Sequence, residues 1–131
     1  MGLFKTLFGT TRNEEKNEKK QLPWRPLVSM AQLEEIAEKS NTKTQLIFKH
    51  STTCGISSMV LNTFNANYDF SNDDFDLYFL DIHGNREVSN ETGYKFQVMH
   101  QSPQLLVIRN GVVVAHSSHG GINDIDLAKY L

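Results

Sequence analysis

One cysteine in a chain of 131 residues excludes an internal disulfide framework. Prolines are also few, three in all, and the single tryptophan stands at position 24. No stretch approaches the roughly 20 consecutive apolar residues that a membrane-spanning helix needs, so no transmembrane span is expected. Neither sign of charge dominates: thirteen Lys and Arg stand against fifteen Asp and Glu, a net charge of -2. A basic stripe of the kind that advertises nucleic acid is therefore missing, and no nucleic-acid partner is expected. Met1-Gly2-Leu3-Phe4-Lys5 is too short for a secretory leader and lacks a cleavage region. A lone exposed thiol persists best in a reducing compartment, which points to a cytoplasmic location.

What is present gathers around His50-Ser51-Thr52-Thr53-Cys54-Gly55-Ile56-Ser57-Ser58-Met59. The cysteine stands where an apolar strand, Gln45-Leu46-Ile47-Phe48, gives way to a helical pattern. A thiol at that junction faces helix N–H groups that no carbonyl within the helix can satisfy. Those donors and the positive end of the helix dipole favour a negative sulfur. The hydroxyls of Thr53 and Ser57 are candidates to hydrogen-bond the thiolate, and a protonated His50 would add charge. Free cysteines are often inert core filler, but filler sits in apolar runs, and here Thr53 and Gly55 are the neighbours. Cys54 reads as a reactive nucleophile.

Around this centre the chain divides into a flexible N-terminal segment, residues 1–21, and a single domain, residues 22–131. Met1-Gly2-Leu3-Phe4-Lys5-Thr6 formally matches an acylation pattern, though short patterns recur by chance. Asn13 to Lys20 is mixed charge with nothing to bury. Trp24 is expected to anchor the start of the domain. Ser29 and Gln32 form a capping-box pattern for a helix with Met30, Leu33, Ile36 and Ala37 inward. Strands are expected at Thr44–Lys49, Phe75–Asp81, Gln104–Ile108 and Val112–Ala115. The last two are joined by an Asn110-Gly111 hairpin. Between them lie a helix with Ile56, Met59, Val60 and Phe64 inward, a helix over about Asn85–Tyr94, and a final helix capped by Asn123, with Ile125, Leu127 and Ala128 inward.

This order resembles the thioredoxin-like fold: an α/β domain with a central mixed four-stranded sheet flanked by helices and an extra N-terminal helix. Cys54 stands where that fold keeps its redox thiol. Pro103 stands where it keeps a cis-proline, and the preceding residue, Ser102, is the one whose backbone pairs with a bound partner. Over about residues 22–131 the chain is similar to the monothiol bacilliredoxins, in His50-Ser51-Thr52-Thr53-Cys54, Ile56-Ser57-Ser58 and Ser102-Pro103-Gln104. Gly55 replaces the proline that members often carry after the cysteine, which allows a different loop backbone.

The resemblance implies thiol–disulfide exchange that strips bacillithiol from oxidised protein cysteines. Cys54 would be the nucleophile and Ser57 a hydrogen-bond donor to the thiolate or leaving sulfur. Thr53, Gly55, Ser102, Pro103, Gly120 and Gly121 would line the substrate site, the Gly pair leading into a helix N-terminus able to hold a carboxylate of the small thiol. A Gly pair before a helix is equally well a plain turn. No tightly bound cofactor and no metal is implied; bacillithiol is a co-substrate. The implied partners are bacillithiolated client proteins, a low-molecular-weight thiol, and a reductase or redoxin that recycles Cys54.

Other readings stand beside this one. Cys54-Gly55-Ile56-Ser57, with Gly120-Gly121 and Asp124, is also similar to the monothiol glutaredoxins, many of which carry a [2Fe–2S] cluster. A domain of this fold can also serve as a non-catalytic interaction module. His50, Cys54, His116 and His119 lack the spacing of a tetrahedral zinc site. Asn90-Glu91-Thr92 matches a glycosylation pattern that has no role in a cytoplasmic protein.

Overall fold

The structure, a computed structural model, describes residues 21–131. The expectations for residues 1–20, the acylation pattern and the flexible segment among them, lie outside the described residues. Strands β1 (Arg25–Pro26), β2 (Thr44–His50), β3 (Phe75–Asp81), β4 (Gln104–Arg109) and β5 (Val112–Ser118) form one sheet in the order β1-β3-β2-β4-β5. Helices α1 (Met30–Lys39), α2 (Gly55–Asn67) and α3 (Arg86–Phe96) connect them, and two 3-10 segments, His119–Asp124 and Leu127–Tyr130, close the chain.

The sheet is mixed, as expected. β2 runs parallel to β3 and antiparallel to β4, and β4 and β5 form the antiparallel hairpin. The expected four strands become five because Arg25 and Pro26 add a short parallel edge to Tyr78 and Phe79. Two residues, one of them proline, carry no readable alternation, and Pro26 fits an edge because it cannot donate to a ladder.

β2 is buried along its whole length, so alternate side chains enter two cores. Ile47 packs with Leu33, Ile36, Tyr78, Leu80, Val88 and Phe96 under α1 and α3. Leu46 and Phe48 pack with Val60, Phe64, Phe75 and Leu77 under α2. The same alternation sends Lys49 toward α3, where its Nζ meets the Ser89 carbonyl oxygen, and His50 toward α2. Trp24 is the expected anchor: its indole donates to Asn65 Oδ1 at 3.0 Å and its ring packs on Phe48, Phe64 and Phe79.

Helix α1 carries the full Ser29–Gln32 capping box, but its inward face is Leu33 and Ile36, with Met30 exposed. In α2 the inward residues are Ser57, Val60 and Phe64, while Ile56 and Met59 face outward, against expectation. Helix α3 runs two residues past the expected Tyr94. The β-branched Val88 and Thr92 are tolerated there because both are buried, and the Thr92 hydroxyl donates to the Val88 carbonyl at 2.7 Å. Asn110 and Gly111 both take positive φ, 53° and 79°, as the hairpin turn requires.

The expected final helix is replaced by the two 3-10 segments. Asn123 lies inside the first and donates from its side chain to the Val60 carbonyl, so it is not a cap; Asp126 caps the second, accepting from Ala128 N–H. Ile122 and Leu127 are buried, and Ala128 is exposed. Among the described residues no helix is long and apolar enough to cross a membrane.

Candidate functional site

The parallel register of β2 and β3 pairs His50 with Asp81, which brings the loops after the two strands to the same end of the sheet. Cys54 is the N-cap of α2 with extended backbone, φ -111° and ψ 117°. Its N–H donates to the Ser51 carbonyl at 3.3 Å, and its own carbonyl accepts from Ser58 at 3.2 Å. The thiol is half-buried and free. Gly55 is the first helical residue, and a side chain there would meet nothing within 4 Å. No positive φ is needed, so the position does not demand the freedom of glycine.

Ser57 and Thr53 are placed differently from expectation. Ser57 is fully buried; its Oγ accepts the Ser51 N–H at 3.1 Å and lies 2.8 Å from His50 Nδ1. The hydroxyl's hydrogen-bonding capacity goes into the loop and the imidazole, not toward the sulfur. Burial pushes the His50 pKa below its ordinary value, against the charge of Asp81 and with that of His83, which disfavours a charged ring beside the thiol. Thr53 Oγ1 lies 3.2 Å from both Ser51 Oγ and His83 Nε2, and Ser51 Oγ lies 2.8 Å from the same nitrogen. His83, on the loop after β3, is a part of this site that the sequence reading missed. Its only local signal is its position just past a strand end.

The Ser102–Pro103 peptide bond is cis, and Pro103 is buried. Its carbonyl accepts the backbone N–H of His119 at 3.1 Å, which ties the proline loop to the Gly120-Gly121 segment. The Ser102 hydroxyl is buried and has no partner among the described residues. Gln104 holds the same loop by donating to the Met99 carbonyl at 3.0 Å. Gly120 has open space around it, whereas a Cβ on Gly121 would collide with Ser117 Oγ. The Gly pair thus sits within a 3-10 segment packed on β5, not ahead of an α-helix as expected, and a side chain at 121 would require the Ser117 hydroxyl to turn away.

A second cluster adjoins the cysteine loop. Lys49 is fully buried, and its Nζ lies 3.2 Å from His100 Nδ1 and 3.5 Å from the Ser89 carbonyl. Burial lowers its pKa to about 8. Burial also lowers the pKa of His100, with the Lys49 charge adding to it. Among the described residues no three His, Cys, Asp or Glu side chains gather in a way that would hold a metal ion.

Over residues 25–127 the chain matches the family described as monothiol bacilliredoxin BrxC. The chain belongs to the monothiol bacilliredoxin family. A solved structure with a thioredoxin fold is 33% identical and covers 79% of this chain and 89% of its own, with a TM-score of 0.62. The thioredoxin of Malassezia sympodialis, at 19% identity, covers 84% and 90% with a TM-score of 0.59. That of Trypanosoma brucei brucei, at 14%, covers 77% and 82% with a TM-score of 0.56. The last two are similar in fold alone. As a bacilliredoxin-family member with a thioredoxin fold, the chain is a thiol redox protein, and its one cysteine stands at the helix N-cap of the strand–loop–helix unit.

Proposed function

We propose that this protein is a thiol–disulfide oxidoreductase that removes bacillithiol from protein mixed disulfides through Cys54. The observation that carries the reading is the placement of the sole cysteine, partly exposed, as N-cap of α2 in a monothiol family. The sulfur therefore stands at the start of a 13-residue helix, open to an incoming disulfide, which a cysteine attacks as its thiolate.

The Cys54 thiolate attacks the bacillithiol sulfur of the mixed disulfide. One S–S bond forms, the original one breaks, and the client thiolate leaves and takes a proton from solvent. Because Ser57 stands where a second cysteine would resolve the intermediate, the Cys54–bacillithiol disulfide is opened by another thiol, either a low-molecular-weight thiol or a recycling reductase or redoxin. Bacillithiol is thus a co-substrate, with no tightly bound cofactor, and the clients are cytoplasmic proteins. The exposed Ile56 and Met59, next in line along α2, offer these clients an apolar contact. Ser102, Pro103 and the segment at Gly120-Gly121 form the other wall of the client site.

Intact-mass analysis after incubation with a bacillithiol-modified peptide tests the reading. One added bacillithiol on Cys54, with an equivalent of freed peptide thiol, is expected. A peptide that keeps its modification while Cys54 stays free refutes it.

A further inference from the structure

Between the loop after β3, the first turns of α3 and the loop ahead of Pro103 lies a cleft of about 210 Å³, lined by Ile82, His83, Arg86, Ser89, Asn90 and His100. Three of these six can carry positive charge and none can carry negative charge. Arg86 is exposed and makes no ion pair among the described residues. Behind the lining lies a further positive charge: both partners of the Lys49 ammonium, the Ser89 carbonyl and His100 Nδ1, belong to residues of the cleft. No carboxylate faces Lys49 among the described residues, so a fully buried charge stands without its counter-charge. The Ser89 hydroxyl is also buried without a hydrogen-bond partner there, on a residue 3% exposed. The nearby acid, Asp81, accepts the His83 backbone N–H and is not part of the lining, and neither is the exposed Glu87.

An uncompensated buried ammonium, a partnerless buried hydroxyl and an unpaired guanidinium around one cleft are the groups an anion would satisfy. The cleft also touches the reactive loop, since His83 reaches Thr53, the residue before Cys54, at 3.2 Å. We infer that this cleft is an anion subsite that takes a carboxylate of the small thiol held in disulfide linkage with Cys54. The inference rests on the reading of Cys54 as the transfer nucleophile and adds a recognition element to it. Arg86 binds the carboxylate at the mouth, and Lys49, through its charge, favours it from below. The Gly120-Gly121 segment, tied to Pro103 through the His119 N–H and outside the cleft lining, is left free for the client.

Two measurements test it. In the first, Cys54→Ser protein is titrated with bacillithiol and followed by amide NMR. Shifts are expected at Arg86, Ser89, Asn90 and the His83 loop, with affinity reduced about tenfold in Arg86→Gln, the loss expected for one charged hydrogen bond, and partly restored in Arg86→Lys. Shifts confined to the Gly120-Gly121 segment, or no dependence on Arg86, overturn the inference. In the second, transfer is timed from one client peptide carrying either bacillithiol or cysteamine, which has no carboxylate. Arg86→Gln is expected to raise KM only for the bacillithiol form. An equal loss with both shows that the cleft reads acidic groups of the client, and overturns the inference. Wild-type protein that fails to accept the bacillithiol peptide defeats the transfer reading itself, and the NMR titration still decides the cleft.

Discussion

Ser57 Oγ and His50 Nδ1 lie 2.8 Å apart, both residues buried beneath the cysteine loop. The same hydroxyl accepts the Ser51 N–H, so one serine joins the end of β2, the loop and the first turn of α2. Where the sequence suggested a partner for the sulfur, the structure has a brace for the loop that carries it.

Ser57→Ala removes that brace and leaves two buried polar groups without a partner. A loss of stability of about 1–3 kcal/mol is expected. Urea unfolding checks it, and an unchanged midpoint would show that the loop holds without the serine.

Cys54→Ser is expected to abolish bacillithiol transfer while the melting temperature stays within a degree or two of wild type, roughly the effect of a half-buried, unbonded substitution. Retained transfer measured by intact mass would assign the chemistry elsewhere.

Lys49 gives a prediction in alkali. Its folded pKa, about 8, lies below the unfolded value, so between those values the unfolded chain holds a proton that the native protein lacks. Stability contributed by this group therefore rises from about pH 8 toward the unfolded pKa, and below pH 8 the full penalty is present. Lys49→Met should stabilise the protein at pH 7 by up to the order of 3 kcal/mol, the free energy of such a shift. The gap between variant and wild type should close as pH rises. A gap that does not change with pH would show that the ammonium carries no such penalty. Comparing the pair also cancels Tyr68, whose pKa burial pushes up to about 12 with Asp74 and Asp76 adding to it, and which acts in the opposite sense above pH 10.

On the acid side His50 and His100 both have lowered folded pKa values, chiefly through burial. The unfolded chain takes up these protons first, so stability present above about pH 6.5, the ordinary histidine value, is lost as pH falls below it. The urea midpoint should drop between pH 7.5 and 5.5, and His50→Gln should flatten that drop. An equally steep loss in His50→Gln would place the acid sensitivity elsewhere.

How much of this could be read from the residues depended on whether a pattern is local. β2 and β3 were legible as apolar runs and the hairpin as Asn110-Gly111, because burial and turn chemistry are written in adjacent residues. Cys54 at a strand–helix junction and Pro103 ahead of β4 followed from the same reading. The outward face of α2 was not legible: Ile56 and Met59 look like core, and Ser57 looks like surface, until His50 supplies a buried partner. Nor was the His83–Arg86–His100 cleft, whose members are brought together only by the register of β2 on β3 and by the loop ahead of Pro103. The final helix failed because a helical apolar spacing survives in a chain that turns in 3-10 fashion around Gly120-Gly121 and Asp126.

At the C-terminal end of α1, Ser40 takes on a second task. Its carbonyl accepts the Asn110 N–H and its Oγ accepts the Gly111 N–H, each at 2.8 Å, across about seventy residues of chain. The helix therefore cannot unwind its last turn without releasing the tip of the hairpin. Those two turn amides, which would otherwise exchange with solvent as freely as any loop, become reporters of α1: their deuterium uptake should keep pace with the opening of that helix, and a Ser40→Ala chain should show Gly111 exchanging early while Asn110 stays slow.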